Sequence, residues 1–233
     1  MRLETAMLSE PGSRAVNQDA VAHTDSCWVL ADGLGGHGGG EQAARIAVDA
    51  VVAGAPQDGG LPSLFAAANE AVLQTQRTNP ALSQMRTTLV VLLIRNHQAA
   101  WGHVGDSRLY HLRNARIAAQ TRDHSFAQTL VDSGQIQPEA IRFHDDRSRL
   151  LRTLGTPGCQ PDLAGPVAVD AGDAFLLASD GFWEPVTERE MEVEYVKSQT
   201  PREWLDRLRA RAYATQVTDR DNLSAIAVFI HAT

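Results

Sequence analysis

The feature that most constrains this chain is a glycine-rich corner, residues 32–40, between an apolar run and an amphipathic run. Residues 27–31 are typical of a buried strand, and residues 41–51 have apolar side chains at helical spacing, with Glu41 in the first turn. The strand therefore places one carboxylate, Asp32, at its carboxyl end, where flexible glycines turn the chain into a helix. The function of the chain depends on what Asp32 binds there.

Two interpretations of this corner compete. Residues 33–38 match G-x-G-x-x-G between a strand and a helix, which is typical of dinucleotide binding, and Asp58 follows twenty residues after Gly38. However, the charge of Asp32 directly before the first glycine would repel a pyrophosphate. Asp58 also lies in a predicted turn and not at the end of a second strand. The alternative is a metal-binding corner, in which Asp32 ligates a cation and Gly33 lets its carbonyl approach that cation.

Composition limits the classes of function. The chain has 233 residues, of which 43% are hydrophobic, and we expect a single domain over residues 1–233. The formal net charge is −7 without any basic run, which argues against nucleic acid or a membrane surface as a partner. The longest aliphatic run, residues 89–94, is too short to span a bilayer, and the start of the chain does not resemble a signal peptide. Because Cys27 and Cys159 are isolated, we expect reduced thiols in a cytoplasmic protein.

Hydrophobic periodicity predicts runs of strands separated by groups of helices, which is the α+β class. Helices are predicted over residues 41–52, 61–76, 125–133, 186–197 and 201–214. Four strands with short connections predict an antiparallel meander over residues 87–94, 98–104, 108–112 and 116–119. Two more strands are predicted over residues 174–178 and 223–230, and the polar residues 135–146 predict a mobile surface segment.

Four aspartates occupy equivalent positions where predicted strands begin or end: Asp32, Asp106, Asp180 and Asp221. Since the strand ends of packed sheets meet at one edge, we expect these side chains to lie close together. Several neighbouring carboxylates can be ionised only if a cation compensates their charge, and no Lys or Arg run is placed to do so. Ligation by oxygen alone selects Mg²⁺ or Mn²⁺, whereas zinc would require sets of His or Cys that the spacing does not provide. Two such cations can hold a shared hydroxide for phosphoryl transfer.

Seven short motifs occur along the chain between residue 14 and residue 224. They are Arg14-x-x-Asn17-Gln18-Asp19, Asp32-Gly33-x-Gly35-Gly36-His37, Gly105-Asp106-Ser107-Arg108, Thr121-x-Asp123-His124-Ser125, Leu151-x-x-x-Gly155, Ala178-Ser179-Asp180-Gly181-Phe182-Trp183-Glu184 and Asp221-Asn222-Leu223-Ser224. As an ordered set covering nearly the whole chain, they resemble the metal-dependent Ser/Thr protein phosphatases of the PP2C (PPM) type, in their short bacterial form. The resemblance implies a four-layer αββα sandwich of two antiparallel sheets flanked by helices, with metals at one edge between the sheets.

The resemblance also implies a ligand role for each strand-end aspartate. In the family, the Asp of the Asp-Gly corner bridges two metals and the following carbonyl is a ligand, which indicates Asp32 and Gly33. Asp180 and Asp221 would complete the ligand set of the first metal ion. Asp106, together with Asp180, would hold a third metal, as in many bacterial members.

Other positions are expected to act on water and on the substrate. By resemblance, Asp19 orders metal-bound water and Arg14 binds the substrate phosphate, a role that suits the two-pronged guanidinium. Eukaryotic members have a general-acid His directly after the Asp-Gly pair, but Leu34 occupies that position here and His37 follows three residues later. The segment at about 125–150 corresponds to the flap beside the active site, where substrate choice is expected to reside.

The implied activity is hydrolysis of phosphoserine and phosphothreonine on proteins, with two or three Mn²⁺ or Mg²⁺ ions as cofactor. The implied partners are phosphorylated proteins, among them a bacterial Hanks-type Ser/Thr kinase and its substrates, and the enzyme is expected to be a monomer. An alternative from another class is a catalytically silent phosphoprotein-binding module of the same fold. Such modules usually lack a metal-binding Asp, and none of the expected ones is missing here.

Overall fold

The computed structural model describes residues 1–35, 39–55, 60–215 and 219–232. Four positions considered above lie outside the described residues: Gly36, His37, Gly38 and Asp58. The strands are β1 (Arg2–Glu10), β2 (Asp19–His23), β3 (Cys27–Leu34), β4 (Arg86–Thr87), β5 (Leu89–Arg95), β6 (Gln98–Val104), β7 (Arg108–Arg113), β8 (Arg116–Gln120), β9 (Asp162–Ala168), β10 (Ala174–Ala178) and β11 (Leu223–His231). The α-helices are α1 (Gly39–Gly54), α2 (Gly60–Thr78), α3 (Phe126–Asp132), α4 (Asp180–Trp183), α5 (Glu188–Val196) and α6 (Pro201–Ala214). Two 3₁₀ helices cover Pro80–Leu82 and Pro138–Phe143.

The described strands form two sheets, and every pairing between them is antiparallel. The first sheet has the order β1-β11-β10-β7-β8, and the second has the order β2-β3-β5-β6-β9, with β4 paired to β3. A dinucleotide-binding fold of the doubly wound type needs a parallel sheet. The dinucleotide interpretation of the glycine corner is therefore wrong.

Three buried clusters separate four layers. The middle cluster lies between the two sheets and includes Trp28, Leu92, Phe175 and Ile226. One outer cluster packs α1 and α2 on the second sheet, and the other packs α4, α5 and α6 on the first sheet. The predicted α+β class and αββα sandwich are confirmed. In the described ranges, no helix combines the length and the apolar character needed to cross a membrane.

The predicted meander of four strands is wrong. Strands β5 and β6 pair in the second sheet, whereas β7 and β8 pair in the first. Between β6 and β7 the chain passes from one sheet to the other through Gly105, which has a φ of +98°. A short connection in the sequence does not distinguish a hairpin from such a crossing. The crossing matters for function because it brings Asp106 to the edge shared by both sheets.

Three strands escaped prediction because they are edge strands. Strands β1, β2 and β9 each end one side of a sheet, so their faces are partly exposed and contain fewer apolar residues. Within the predicted surface segment, the structure forms the 3₁₀ helix Pro138–Phe143, whose Ile141 is buried against the first sheet's helix layer.

The cluster between the sheets should dominate stability. Leu177 is completely buried there, so Leu177→Ala should lower the free energy of unfolding by about 2–5 kcal/mol through lost contacts and a new cavity. The matched control Leu151→Ala removes a side chain from a residue that is 54% exposed and should change it by less than about 0.5 kcal/mol. Urea unfolding measures both values, and equal effects would contradict the layered packing.

Candidate metal centre

Strand alternation puts acidic side chains at one end of the space between the sheets. On β3, Trp28 and Leu30 pack between the sheets, so Asp32 faces the same space two residues further on. Asp19 on β2 is the register partner of Asp32. The apolar stripe of each strand therefore ends in a carboxylate at the same edge.

The first sheet supplies carboxylates to this edge from β10 and β11. Asp180 begins α4 directly after β10, and Asp221 lies two residues before β11. The backbone N–H of Ser179 donates to the carbonyl of Ser224 at 3.0 Å, which holds the two strand ends side by side. A Cβ at Gly181 would lie 2.2 Å from the carbonyl oxygen of Asn222, so this approach requires glycine.

The carboxylates interact strongly with one another. Burial raises the pKa of Asp32 well above its usual range, and the charges of Asp19, Asp180 and Asp106 raise it further. A hydrogen bond joins the carboxyl groups of Asp32 and Asp180. Burial and the Asp180 charge likewise raise the pKa of Asp106 well above normal, and burial raises that of Asp19 to about 7. Burial raises the pKa of Asp180, and the negative charge of the half-exposed Asp221 raises it further.

The donor set fits a hard divalent cation. Asp19 receives a hydrogen bond on Oδ2 from the Ser179 hydroxyl at 2.9 Å, while its buried Oδ1 has no hydrogen-bond partner among the described residues. Aspartate oxygens that converge in this way are ligands that Mg²⁺ and Mn²⁺ prefer. A cation bound among them would offset both the mutual repulsion and the cost of burial.

Gly33 is required at this corner by the contact between β3 and the start of α1. A Cβ at Gly33 would lie 2.1 Å from the carbonyl oxygen of Gly40 and 2.7 Å from that of Gln18. Any larger residue would push the helix away from the strand. Gly33 thus has a packing requirement in addition to the predicted approach of its own carbonyl to a cation.

Arg14 lies at the same edge. Its Nε and Nη2 donate to the Asp221 carboxylate at 3.3 and 3.2 Å, and its Nη1 lies 3.7 Å from Asp219. The hydrogen bond and charge of Asp221 raise the pKa of Arg14. With a side chain that is 46% exposed, the guanidinium can reach a solvent-borne anion.

A cleft of about 520 Å³ opens beside the acidic edge. One wall consists of the loop that contains Arg14 together with residues 215 and 219–221. The other consists of α4 and the segment that contains the 3₁₀ helix Pro138–Phe143. The lining residues are Arg14, Arg142, Phe143, Arg147, Ser148, Asp180, Gly181, Glu184, Pro185, Thr215, Asp219, Arg220 and Asp221.

Sequence reasoning gave Asn222 no role, although it lies in the last motif. Its Nδ2 donates to the carbonyls of Pro11 at 2.9 Å and Val16 at 3.1 Å, and its Oδ1 accepts from the N–H of Gln18 at 2.8 Å. Asn222 is 5% exposed. It therefore fixes the loop that contains Arg14 against the end of β11.

Two side chains hold the backbone around Asp106. The indole N–H of Trp183 donates to the Asp106 carbonyl at 3.0 Å. On the other side, His124 accepts from the Gly105 N–H through Nδ1 at 3.1 Å and donates its own backbone N–H to the Gly105 carbonyl at 2.9 Å. The Asp106 corner is thus supported from both flanks.

A second group with metal-binding side chains lies behind this corner. His103, His124 and Asp162 each offer a ligand atom within 4.8 Å of the others. Because the Gly105 N–H donates to Nδ1 of His124, neutral His124 has its proton on Nε2, which lies 3.2 Å from Asp162. Burial lowers the pKa of His124 to about 4, so the ring is neutral at pH 7. Both ring nitrogens of neutral His124 are therefore engaged, Nδ1 by the Gly105 N–H and the protonated Nε2 beside Asp162. This group is thus better suited to supporting the Asp106 corner than to binding a metal.

The chain was compared with known proteins and structures. A model of the family described as protein phosphatase 2C matches residues 10–220.

The chain belongs to the protein phosphatase 2C family.

Bacterial phosphatases are among the proteins that this chain is similar to. The Ser/Thr protein phosphatase PstP of Mycobacterium tuberculosis is 37% identical over 181 residues, which are 75% of this chain and 35% of PstP, so the chain spans about a third of that protein. The protein phosphatase PhpP of Streptococcus pneumoniae is 33% identical over 205 residues, covering 81% of this chain and 82% of PhpP. The crystal structure of the PstP catalytic domain in complex with two manganese ions superposes with a TM-score of 0.87 at 31% identity, covering 99% of both chains.

The PP2C motif residues predicted from the sequence converge in space. The structure brings Asp19, Asp32, Asp106 and Asp180 into one interacting group, in which Asp32 and Asp180 each interact electrostatically with the other three. Asp221 joins them through Asp180, and Arg14 pairs with Asp221. Their assignment to particular metals or to phosphate stays a prediction. Leu34, where eukaryotic members have histidine, ends β3 and has no proton to donate.

Metal binding should release protons. A carboxyl group whose pKa is raised in the folded state stabilises the protein at low pH, and this contribution is lost as pH rises through the folded-state pKa. Between about pH 4 and 7 the metal-free carboxyl cluster therefore retains protons that Mn²⁺ must displace. Titration of weakly buffered protein with MnCl₂ should release more protons at pH 6 than at pH 8. No release at pH 6 would contradict the coupled cluster.

Asn222→Ala should loosen the Arg14 loop. The change removes three part-buried hydrogen bonds between Asn222 and the loop, which should lower the free energy of unfolding by about 1–3 kcal/mol. Hydrogen exchange at residues 12–18 should accelerate more than exchange in α6. Uniform acceleration along the chain would show that Asn222 supports the whole fold and not this loop.

Proposed function

We propose that this protein removes phosphate from phosphoserine and phosphothreonine in other proteins, using Mn²⁺ or Mg²⁺. The observation that most supports this function is the convergence of buried aspartates from both sheets beside Arg14, in a cleft open to solvent. The family membership and the bacterial Ser/Thr phosphatases among its relatives support the same activity.

In this proposal the aspartates divide the work of holding cations. Asp32 would bridge two ions, with the carbonyl of Gly33 as a further ligand. Asp180 and Asp221 would complete the first ion, and Asp106 would share a third ion with Asp180. When bound, the ions supply positive charge for the phosphoryl oxygens and a water nucleophile at neutral pH.

The remaining residues bind and orient. Arg14 would bind two oxygens of the substrate phosphate through its planar guanidinium, since it lies at the open side of the acidic edge. Asp19 is fixed by the Ser179 hydroxyl and has a free oxygen, so it would orient the attacking water. The chemistry would require no enzyme nucleophile, because positioning and charge stabilisation suffice for phosphoryl transfer.

We further propose that residues 1–233 act as one phosphatase domain, in which the segment at about 125–150 is the flap. The expected partners are a bacterial Hanks-type Ser/Thr kinase and the substrates of that kinase. Action as a cytoplasmic monomer is consistent with the acidic composition and the isolated cysteines.

Asp180→Asn tests the function against a silent phosphoprotein-binding module. The enzyme should lose Mn²⁺-dependent hydrolysis of an aryl phosphate by about two orders of magnitude. Mn²⁺ at about 100 times its Kd should add about 2.7 kcal/mol to the unfolding free energy of the original protein, and less to the variant. The control is Asp206→Asn, which changes an exposed carboxylate paired with Arg202 on α6 and should alter neither value.

Three outcomes would reject the proposal. The first is a wild-type protein whose hydrolysis does not respond to a chelator. The second is an Asp180→Asn variant with full activity. The third is the absence of any turnover, which together with binding of phosphoproteins would indicate the silent module.

A further inference from the structure

Phe143 is unusual among the aromatic residues of this chain. Its side chain is 81% exposed, whereas the other five phenylalanines and the four tryptophans are buried or half-buried. Single exposed hydrophobic residues are common on protein surfaces, so exposure alone indicates little. The position of Phe143 is what gives it meaning.

Phe143 lies on the wall of the cleft that contains Arg14, Asp180 and Asp221. Pro185 adds a second apolar residue to the same wall. At about 520 Å³ the cleft is much larger than a phosphate group, so a bound phosphopeptide would also place neighbouring residues in it.

The exposure of Phe143 is enforced by the residues that precede it. Ile141 and Arg142 are only 3% and 7% exposed. Arg142 donates through Nη1 to the carbonyls of Trp183 and Glu184, and through Nη2 to Glu188 at 2.6 Å. These contacts fix the backbone at the end of the 3₁₀ helix Pro138–Phe143, and the buried side chains of Ile141 and Arg142 occupy its inner side. Phe143 is therefore an aromatic group displayed to solvent from an anchored backbone.

Three arginines that line the cleft are already engaged within the protein. Arg142 pairs with Glu188, and Arg147 donates to both oxygens of Glu184 at 2.9 and 3.0 Å. Arg220 donates to the backbone carbonyls of Ala212, Tyr213 and Thr215. An acidic residue beside the phosphorylated one would have to displace one of these contacts to bind any of the three side chains. An apolar residue would meet the exposed ring of Phe143 with no contact to displace.

We propose that Phe143 forms an apolar subsite for a bulky apolar side chain next to the phosphoserine or phosphothreonine of the substrate. This inference rests on the proposed phosphatase function and specifies its substrate class. Aromatic side chains, phenylalanine among them, bury a large apolar area on binding and contribute strongly to the binding free energy at interfaces. Burial of an aliphatic side chain against Phe143 would therefore favour such substrates over polar ones.

The test uses pairs of phosphopeptides that differ only by Leu or Ser at one of the two positions before or after the phosphoserine. With Mn²⁺ present, the original protein should show a kcat/KM ratio of roughly 5 to 20 in favour of Leu at one of these positions. Phe143→Ala should lower this ratio to about twofold or less, and Phe143→Leu should retain part of it. Because the ratio is measured within each variant, a general change in activity cancels.

Leu163→Ala is the matched control. Leu163 is 46% exposed on β9 and does not line the cleft, so its removal should leave the peptide ratio as in the original protein. An original protein that hydrolyses all the peptides equally would overturn the subsite and leave the phosphatase function intact. A ratio that survives Phe143→Ala would also overturn it. Absence of Mn²⁺-dependent hydrolysis of any peptide would reject the phosphatase function and the subsite together.

Discussion

The structure depends on one electrostatic constraint, which is the crowding of buried carboxylates at a single edge of two packed sheets. Asp32 and Asp106 are pushed towards their neutral forms by burial and by neighbouring negative charges. Such an arrangement is unfavourable for a metal-free protein, and a divalent cation turns it into a binding site. The fold therefore keeps several carboxylates close together. The cations that would compensate their negative charge are the basis of the proposed chemistry.

The apolar sandwich provides the rigidity that this crowding requires. The strands that supply Asp32 and Asp180 are buried on both faces, so the carboxylates project from a packed core. Because Gly33 and Gly181 have no side chain, the backbone of neighbouring elements can pack directly against them. Hydrogen bonds from Trp183 and Asn222 then fix the more irregular backbone, at Asp106 and around Arg14.

Trp183 also connects the acidic edge with the segment that displays Phe143. Its indole ring lies 3.4 Å below the guanidinium carbon of Arg108, which is itself paired bidentately with Asp123. Its carbonyl accepts a hydrogen bond from Arg142. Trp183 thus contacts both the backbone of a proposed metal ligand and the residue that anchors the segment with Phe143, so the acidic edge and that segment share one support.

The sequence alone determined the strand-end positions of Asp32, Asp106, Asp180 and Asp221, because apolar runs followed by turn residues are local features. Its ordered motifs also indicated the family and hence the layered sandwich. Only the tertiary structure decided that β6 and β7 belong to different sheets, that β1, β2 and β9 lie at sheet edges, and that Phe143 is exposed in the same cleft as Arg14. Those properties depend on contacts between residues far apart in the chain, and local periodicity contains no information about such contacts.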